Sequence, residues 1–189
     1  MSDKDAFTDR RRSQEEEYFH KREQELIAKM RRRGADEADR QQMTQRTGIA
    51  DEALLQELQA IGYTPETVVL IDILPLVQVA WADGAVSTRE REVIVEKARG
   101  LSIEQGSEAD RKLTEWLTDR PSDDALSVAL RAISAMLQAR SPDQREATRQ
   151  ELLASCTGIA SASGGVLGFG KVSDEEQALL DRIKLALEE

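Results

Sequence analysis

The segment 83–90 contains acidic residues that could bind a divalent cation. Asp83 and Gly84 follow an apolar run, and Glu90 comes shortly afterwards. Carboxylate oxygens are the ligands that Ca²⁺ and Mg²⁺ prefer, and acidic turns between helices commonly supply them. We therefore predict Asp83 and Glu90 as the ligands of a divalent cation, Ca²⁺ or Mg²⁺, with Asp72 or Glu92 as a further acidic group nearby.

The same residues have a second, structural interpretation. Ser87 and Glu90 have the spacing of a capping box, in which the serine and the glutamate satisfy the first amides of a helix. A regular calcium loop has oxygen ligands at alternate positions and a final glutamate at its twelfth position, whereas here Ala85 stands at an alternate position and Glu90 comes too early. The pattern favours the helix cap and leaves the cation site open.

Other reactive groups do not combine into a catalytic site. Cys156 lies among apolar residues with no histidine nearby in sequence, which predicts a buried, inert thiol. His20, the only histidine, lies in a charged segment, where it is either a pH sensor or a bystander. The glycine-rich segment 164–170 lacks the Lys-Ser/Thr of a phosphate-binding loop. No nucleophile, base and orienting group occur at a recognisable spacing, so we predict a protein that is not an enzyme.

The turn is part of an internal duplication. Segment 79–84 resembles segment 159–164, and segment 86–90 resembles segment 172–176, with the glycine-rich insertion between the two parts of the second copy. The sequence therefore predicts a degenerate twofold repeat.

The composition limits the function classes. The chain has 189 residues, 40% of them hydrophobic, and a net charge of -10. This length allows one core plus an extension, and the acidic balance argues against nucleic-acid binding.

The single cysteine fits a reducing compartment, the N-terminus has no apolar leader, and no apolar run is long enough to span a membrane. We predict a cytoplasmic protein, with peripheral membrane association left open.

The pattern of helix formers and breakers predicts an all-α organisation. We expect disorder over 1–8, a solvent-exposed helical arm over 9–33 with a narrow apolar stripe, a linker over 34–49 because Gly34 ends the arm, and an all-helical domain over 50–189. The repeat halves fall at about 64–100 and 142–189.

One stretch of the domain is apolar on nearly every side. It begins at Thr64 and Pro65, which have the pattern of a helix start, and runs to Ala82. We expect this helix to be the most buried element, and to be kinked or divided near Pro75.

The duplicated turn resembles the TerB-like family of tellurite-resistance and stress-associated proteins. Segments 75–90 and 162–176 carry this resemblance, which covers roughly residues 64–189. It implies a compact all-helical domain of two related halves, usually non-enzymatic, cytoplasmic or at the inner membrane face. It also implies binding of divalent cations through acidic residues in some members.

The arm resembles the inhibitory segment of the mitochondrial-type ATPase inhibitor family. The matching positions are aromatic and charged, at the family's spacing and without gaps: Phe7, Arg10, Glu15, Glu16, Tyr18, Phe19 and Arg22. The resemblance implies that these residues contact catalytic subunits of the F-type ATP synthase and stop rotation in the hydrolytic direction. After Met30 the long dimerising coiled coil of the family is absent, and an acidic folded domain follows instead.

Two functions follow as expectations. The first is a regulatory protein in which a TerB-like domain carries an arm that docks on an ATPase, the F-type ATP synthase by resemblance. The second is a stress-response module in which the TerB-like domain binds Ca²⁺ or Mg²⁺ and the arm tethers it to a protein partner.

Overall fold

The computed structural model describes residues 3–162 and 172–188, with side chains from Lys21 onward in these ranges. Every regular element in this part of the chain is helical, which confirms the predicted all-α class. The chain divides into two compact units, Met1–Asp39 and Arg40–Glu189.

Eight α-helices and one 3-10 helix occur among the described residues. In chain order they are α1 (Asp3–Thr47), α2 (Glu52–Ala60), the 3-10 helix (Val68–Asp72), α3 (Leu74–Ala80), α4 (Thr88–Gly100), α5 (Glu108–Trp116), α6 (Asp123–Gln138), α7 (Pro142–Ala162) and α8 (Asp174–Ala186).

Hydroxyl and carboxylate caps open most of the helices of the second unit. In each, a side-chain oxygen accepts a hydrogen bond from an amide of the first turn, which would otherwise have no partner within the helix. The capping residues are Asp51, Ser87, Ser107, Ser122 and Ser173. The predicted helix start at Ser87 is confirmed.

Helix α1 differs from its prediction at both ends. It begins at Asp3, within the segment that we expected to be disordered, and it continues past Gly34 to Thr47, so the predicted linker is wrong over 34–47. A glycine inside a helix costs only about 1 kcal/mol relative to alanine, and the residues around Gly34 are mostly good helix formers. Met43 and Ile49 lie in the core of the second unit, which anchors the segment that we took for a linker.

The apolar stretch after Thr64 is divided, and its first part is not an α-helix. The backbone amide of Thr64 donates to the Thr67 hydroxyl at 2.8 Å, and the Thr67 amide donates to the Thr64 hydroxyl at 3.3 Å. This reciprocal turn leads into the 3-10 helix, so the predicted α-helical start at Thr64 and Pro65 is wrong. The predicted division near Pro75 is confirmed, since Pro75 lies in the first turn of α3, where its missing amide costs nothing.

Helix α3 is the centre of the second unit. All seven of its residues are buried, and it packs against α4, α6, α7 and α8. The prediction that this stretch forms the most buried part of the fold is confirmed. Just after α3, the Trp81 indole N–H donates to the main-chain carbonyl of Trp116 at 2.8 Å, which connects the central helix to the end of α5.

The repeated sequence occupies two helix pairs, α3 with α4 and α7 with α8. The second helix of each pair opens with a complete capping box, formed by Ser87 and Glu90 in α4 and by Ser173 and Glu176 in α8. Both glutamates are buried. The second copy of the turn and the glycine-rich segment 164–170 lie outside the described residues.

Candidate functional site

An exposed apolar stripe lies on α1. Residues 21–38 are all exposed, and among them Leu26, Ile27 and Met30 have 59%, 43% and 65% of their surface accessible to solvent. Residues three and four positions apart are neighbours on a helix surface, so these three side chains form one patch, which we call the α1 stripe. Among the described residues, the only other large apolar side chain that is comparably exposed is Leu185 in α8.

Basic residues surround the α1 stripe. Segment 21–33 contains six lysines and arginines and two glutamates, which gives it a net charge of four positive units, whereas the whole chain has a net charge of -10. The stripe therefore combines apolar contact area with a local positive charge. A partner surface that accepts it would need an apolar groove with acidic margins.

All seven predicted partner-binding residues lie on α1: Phe7, Arg10, Glu15, Glu16, Tyr18, Phe19 and Arg22. The side chains of the first six lie outside the described residues, and Arg22 is exposed. Separations of seven and eleven residues are close to whole numbers of helical turns, so positions 19, 26 and 30 fall on one side of α1. The predicted contact residues and the α1 stripe thus belong to one helix, and their role in binding stays a prediction.

The turn before α4 places the two predicted metal ligands in different environments. Asp83 is exposed, and its Oδ1 accepts a hydrogen bond from the Ala85 amide at 3.2 Å. Glu90 is buried, its Oε2 accepts from the Ser87 amide at 2.8 Å, and its own amide donates to the Ser87 hydroxyl at 3.2 Å. The predicted capping box is confirmed, and one oxygen of Glu90 is committed to it.

The other oxygen of Glu90 is the one feature of this turn that the cap does not explain. Glu90 Oε1 is buried and accepts no hydrogen bond from any described residue. Burial raises the pKa of Glu90, hydrogen bonds from Ser87 lower it, and the charges of Asp83 and Glu176 raise it further. A bound cation would give this oxygen a partner, and protonation of Glu90 would equally reduce the local negative charge.

The described side chains include no group of three or more histidine, cysteine, aspartate or glutamate residues arranged to hold a metal. The cation site at Asp83 and Glu90 therefore stays a prediction. The two further acidic groups differ from each other: Asp72 lines a cavity between the 3-10 helix, α4, α6 and α7, and Glu92 is exposed and pairs with Arg89 at 3.3 Å.

The remaining reactive groups take no part in a described site. Cys156 is fully buried, and burial raises the pKa of its thiol to about 12, so the thiolate that nucleophilic chemistry requires is not formed near neutral pH. The prediction of a buried thiol is confirmed. The side chain of His20 and segment 164–170 lie outside the described residues.

No protein-family model, curated protein or solved structure matches the chain. Within the described ranges, no helix is both long enough and apolar enough to cross a membrane.

Proposed function

We propose that this chain is a non-enzymatic regulatory protein in which α1 binds a partner ATPase, with the TerB-like domain as the body that carries it. The observation that supports this proposal most strongly is the α1 stripe. Nearly all other large apolar side chains of the described structure are withdrawn from water, whereas Leu26, Ile27 and Met30 are not. The partner that the sequence resemblance implies is the F-type ATP synthase.

The energetic basis is the transfer of the α1 stripe from water into a groove. Burying apolar surface contributes about 25 cal/mol for each Å² removed from water. An amphipathic helix that lies in a groove uses anchors at helical spacing for this purpose. The α1 stripe has such spacing, and Phe7, Tyr18 and Phe19 would extend the apolar contact towards the start of the helix.

The charged positions would give the docked helix its direction and register. Arg10 and Arg22 lie on either side of the acidic pair Glu15 and Glu16, so charges of opposite sign alternate along α1. Complementary charges on the ATPase would favour one orientation of the helix and disfavour others. Inhibition then requires that α1 bind one rotational state better than the rest, and each tenfold difference in affinity contributes about 1.4 kcal/mol to this bias.

The test is ATP hydrolysis by a purified F-type ATPase in the presence of the full chain. We expect inhibition at micromolar concentrations of the wild-type chain, and its loss when Phe7, Tyr18 and Phe19 are all replaced by alanine. Leu185→Ser is the matched control, because it removes an exposed apolar side chain that lies on α8. Unchanged hydrolysis with the wild-type chain would overturn the proposal.

A second candidate function is a stress-response module that binds Ca²⁺ or Mg²⁺, with α1 as a tether to a protein partner. The specific observation in its favour is the buried Glu90 Oε1, which no described residue satisfies. Calorimetry with each cation tests it, since binding must be saturable and must be lost in Asp83→Asn. Binding heat that Asp83→Asn leaves unchanged would contradict this site.

A further inference from the structure

A cavity of about 200 Å³ lies where the 3-10 helix, α4, α6 and α7 meet. Apolar side chains form much of its wall: Leu101, Ile133, Leu137 and Leu152. Pockets for drug-sized ligands and cofactors typically have volumes of about 300–1,000 Å³, so this cavity is suited to a smaller molecule. The residues that line it are not used by the function proposed above.

Asp72, the last residue of the 3-10 helix, places a carboxylate in this cavity. The side chain is half-buried, and no described residue donates a hydrogen bond to it. Burial raises the pKa of Asp72, the charges of Arg140 and Lys97 lower it, and the charge of Glu151 raises it. Asp72 keeps part of its surface accessible in the cavity, so a molecule bound there can donate a hydrogen bond to it. Asp72 is therefore a group whose partner the described structure does not supply.

The charged side chains at the rim of the cavity are not equivalent. Lys97 Nζ lies 2.8 Å from Glu151 Oε1, so these two charges offset each other. Arg140 is exposed and donates to the Thr148 hydroxyl at 2.7 Å, and no described acidic residue forms an ion pair with it. The cavity thus has an acceptor inside, apolar walls, and a guanidinium group at its rim.

We propose that this cavity binds a small aliphatic zwitterion. The ammonium end donates hydrogen bonds to Asp72, the carbon chain contacts the apolar wall, and the carboxylate end pairs with Arg140. An anion without an ammonium group would leave Asp72 unsatisfied and would meet its negative charge. A cation without a carboxylate would satisfy Asp72 but would leave Arg140 without an acidic partner.

Three related probes separate these possibilities: ε-aminocaproate, which carries both charges, hexylamine, which lacks the carboxylate, and hexanoate, which lacks the ammonium group. Binding of each to the full chain is measured by calorimetry and by NMR chemical-shift changes. We expect saturable binding of ε-aminocaproate, weaker binding of hexylamine and no saturable binding of hexanoate.

Variants then assign the two ends of the ligand. Asp72→Asn should weaken ε-aminocaproate binding by about tenfold or more, because an ion-paired hydrogen bond is replaced by a neutral one. Arg140→Gln should remove the preference for ε-aminocaproate over hexylamine. Glu96→Gln, an exposed position on α4 with the same change of charge, should bind as the wild type does.

The absence of saturable ε-aminocaproate binding to the wild-type chain would overturn the proposal. Equal affinity of the wild type and Asp72→Asn for ε-aminocaproate would also overturn it, provided that each chain is folded and unfolds in a cooperative transition. If Asp72→Asn does not fold, the Arg140→Gln variant still tests the proposal. Its affinities for ε-aminocaproate and hexylamine are compared, and an unchanged preference for ε-aminocaproate would contradict the proposed orientation of the ligand.

Discussion

The side-chain amide of Gln78 is buried in the centre of the second unit and donates to the main-chain carbonyl of Pro121 at 2.7 Å. The same nitrogen lies 3.2 Å from the carbonyl of Ser122, the residue that caps α6. A single polar side chain of α3 therefore satisfies two carbonyl groups before α6. This contact fixes the start of α6 relative to the central helix.

Gln78→Met should lower the free energy of unfolding by about 1–3 kcal/mol. Methionine fills a similar volume but cannot donate a hydrogen bond, so the partly buried carbonyl of Pro121 loses its donor. Urea denaturation followed by circular dichroism measures the change. Gln138→Met, at the exposed end of α6, is the control and should change stability by no more than about 0.5 kcal/mol. Equal effects of the two changes would contradict this role of Gln78.

The capping boxes of α4 and α8 should contribute similar amounts to stability. Ser87→Ala and Ser173→Ala each remove a hydroxyl that accepts from the third amide of its helix. We expect each change to lower the free energy of unfolding by about 1 kcal/mol. Thr88→Ala, at an exposed position next to the first cap, should have little effect. A serine variant as stable as Thr88→Ala would show that the corresponding box does not stabilise its helix.

Asp72→Asn should remove a contribution that lowers the stability of the second unit as the pH rises. Burial raises the pKa of Asp72 above its ordinary value of 3.8, so above that pH the folded state binds more protons at this group than the unfolded state does. Asp72 therefore lowers the free energy of unfolding as the pH rises from about 3.8 through the raised pKa. The stability gained by Asp72→Asn over the wild type should be larger at neutral pH than in acid. Urea titrations across this range measure it, and a gain that shrinks with rising pH would contradict the prediction.

Gly34→Ala should increase the helicity of α1 and stabilise it locally by about 0.5–1 kcal/mol. Gly34 lies inside the helix, and a Cβ atom there would meet no other atom within 4 Å. Far-UV circular dichroism and slower amide hydrogen exchange around residue 34 report the change. Faster exchange in the alanine variant would show that the glycine conformation is required.

Local signals in the sequence were sufficient for most of the second unit. Ser87 precedes a helix with the expected cap geometry, because a cap depends on residues within one turn of the helix. The division at Pro75 was predictable for the same reason, since the missing amide acts on the preceding turn.

The predicted end of α1 failed because contacts elsewhere in the chain outweigh a local preference. Gly34 predicted a helix end, but the helix continues to Thr47, and Met43 contributes to the core of the second unit. The cavity around Asp72 could not be anticipated either. Its charged groups, among them Asp72, Lys97 and Arg140, come from segments far apart in sequence, and only tertiary packing brings them together.

For the two candidate metal ligands, spacing in the sequence was not sufficient to predict their role. Asp83 and Glu90 are close in sequence, and Glu90 has the environment of a cap. The observation that keeps a further role open is the buried Oε1 atom, which no described residue satisfies. That atom can be recognised only once burial is known.

We propose that the α1 stripe is a binding surface on which the fold of the second unit does not depend. The most direct test is equilibrium binding of the full chain to a purified F-type ATPase, comparing the wild type with the variant that carries Leu26→Ser, Ile27→Ser and Met30→Ser. We predict that the variant binds at least about tenfold more weakly, while its urea unfolding transition coincides with that of the wild type. Equal binding by the two chains, or no binding by the wild type, would contradict the account.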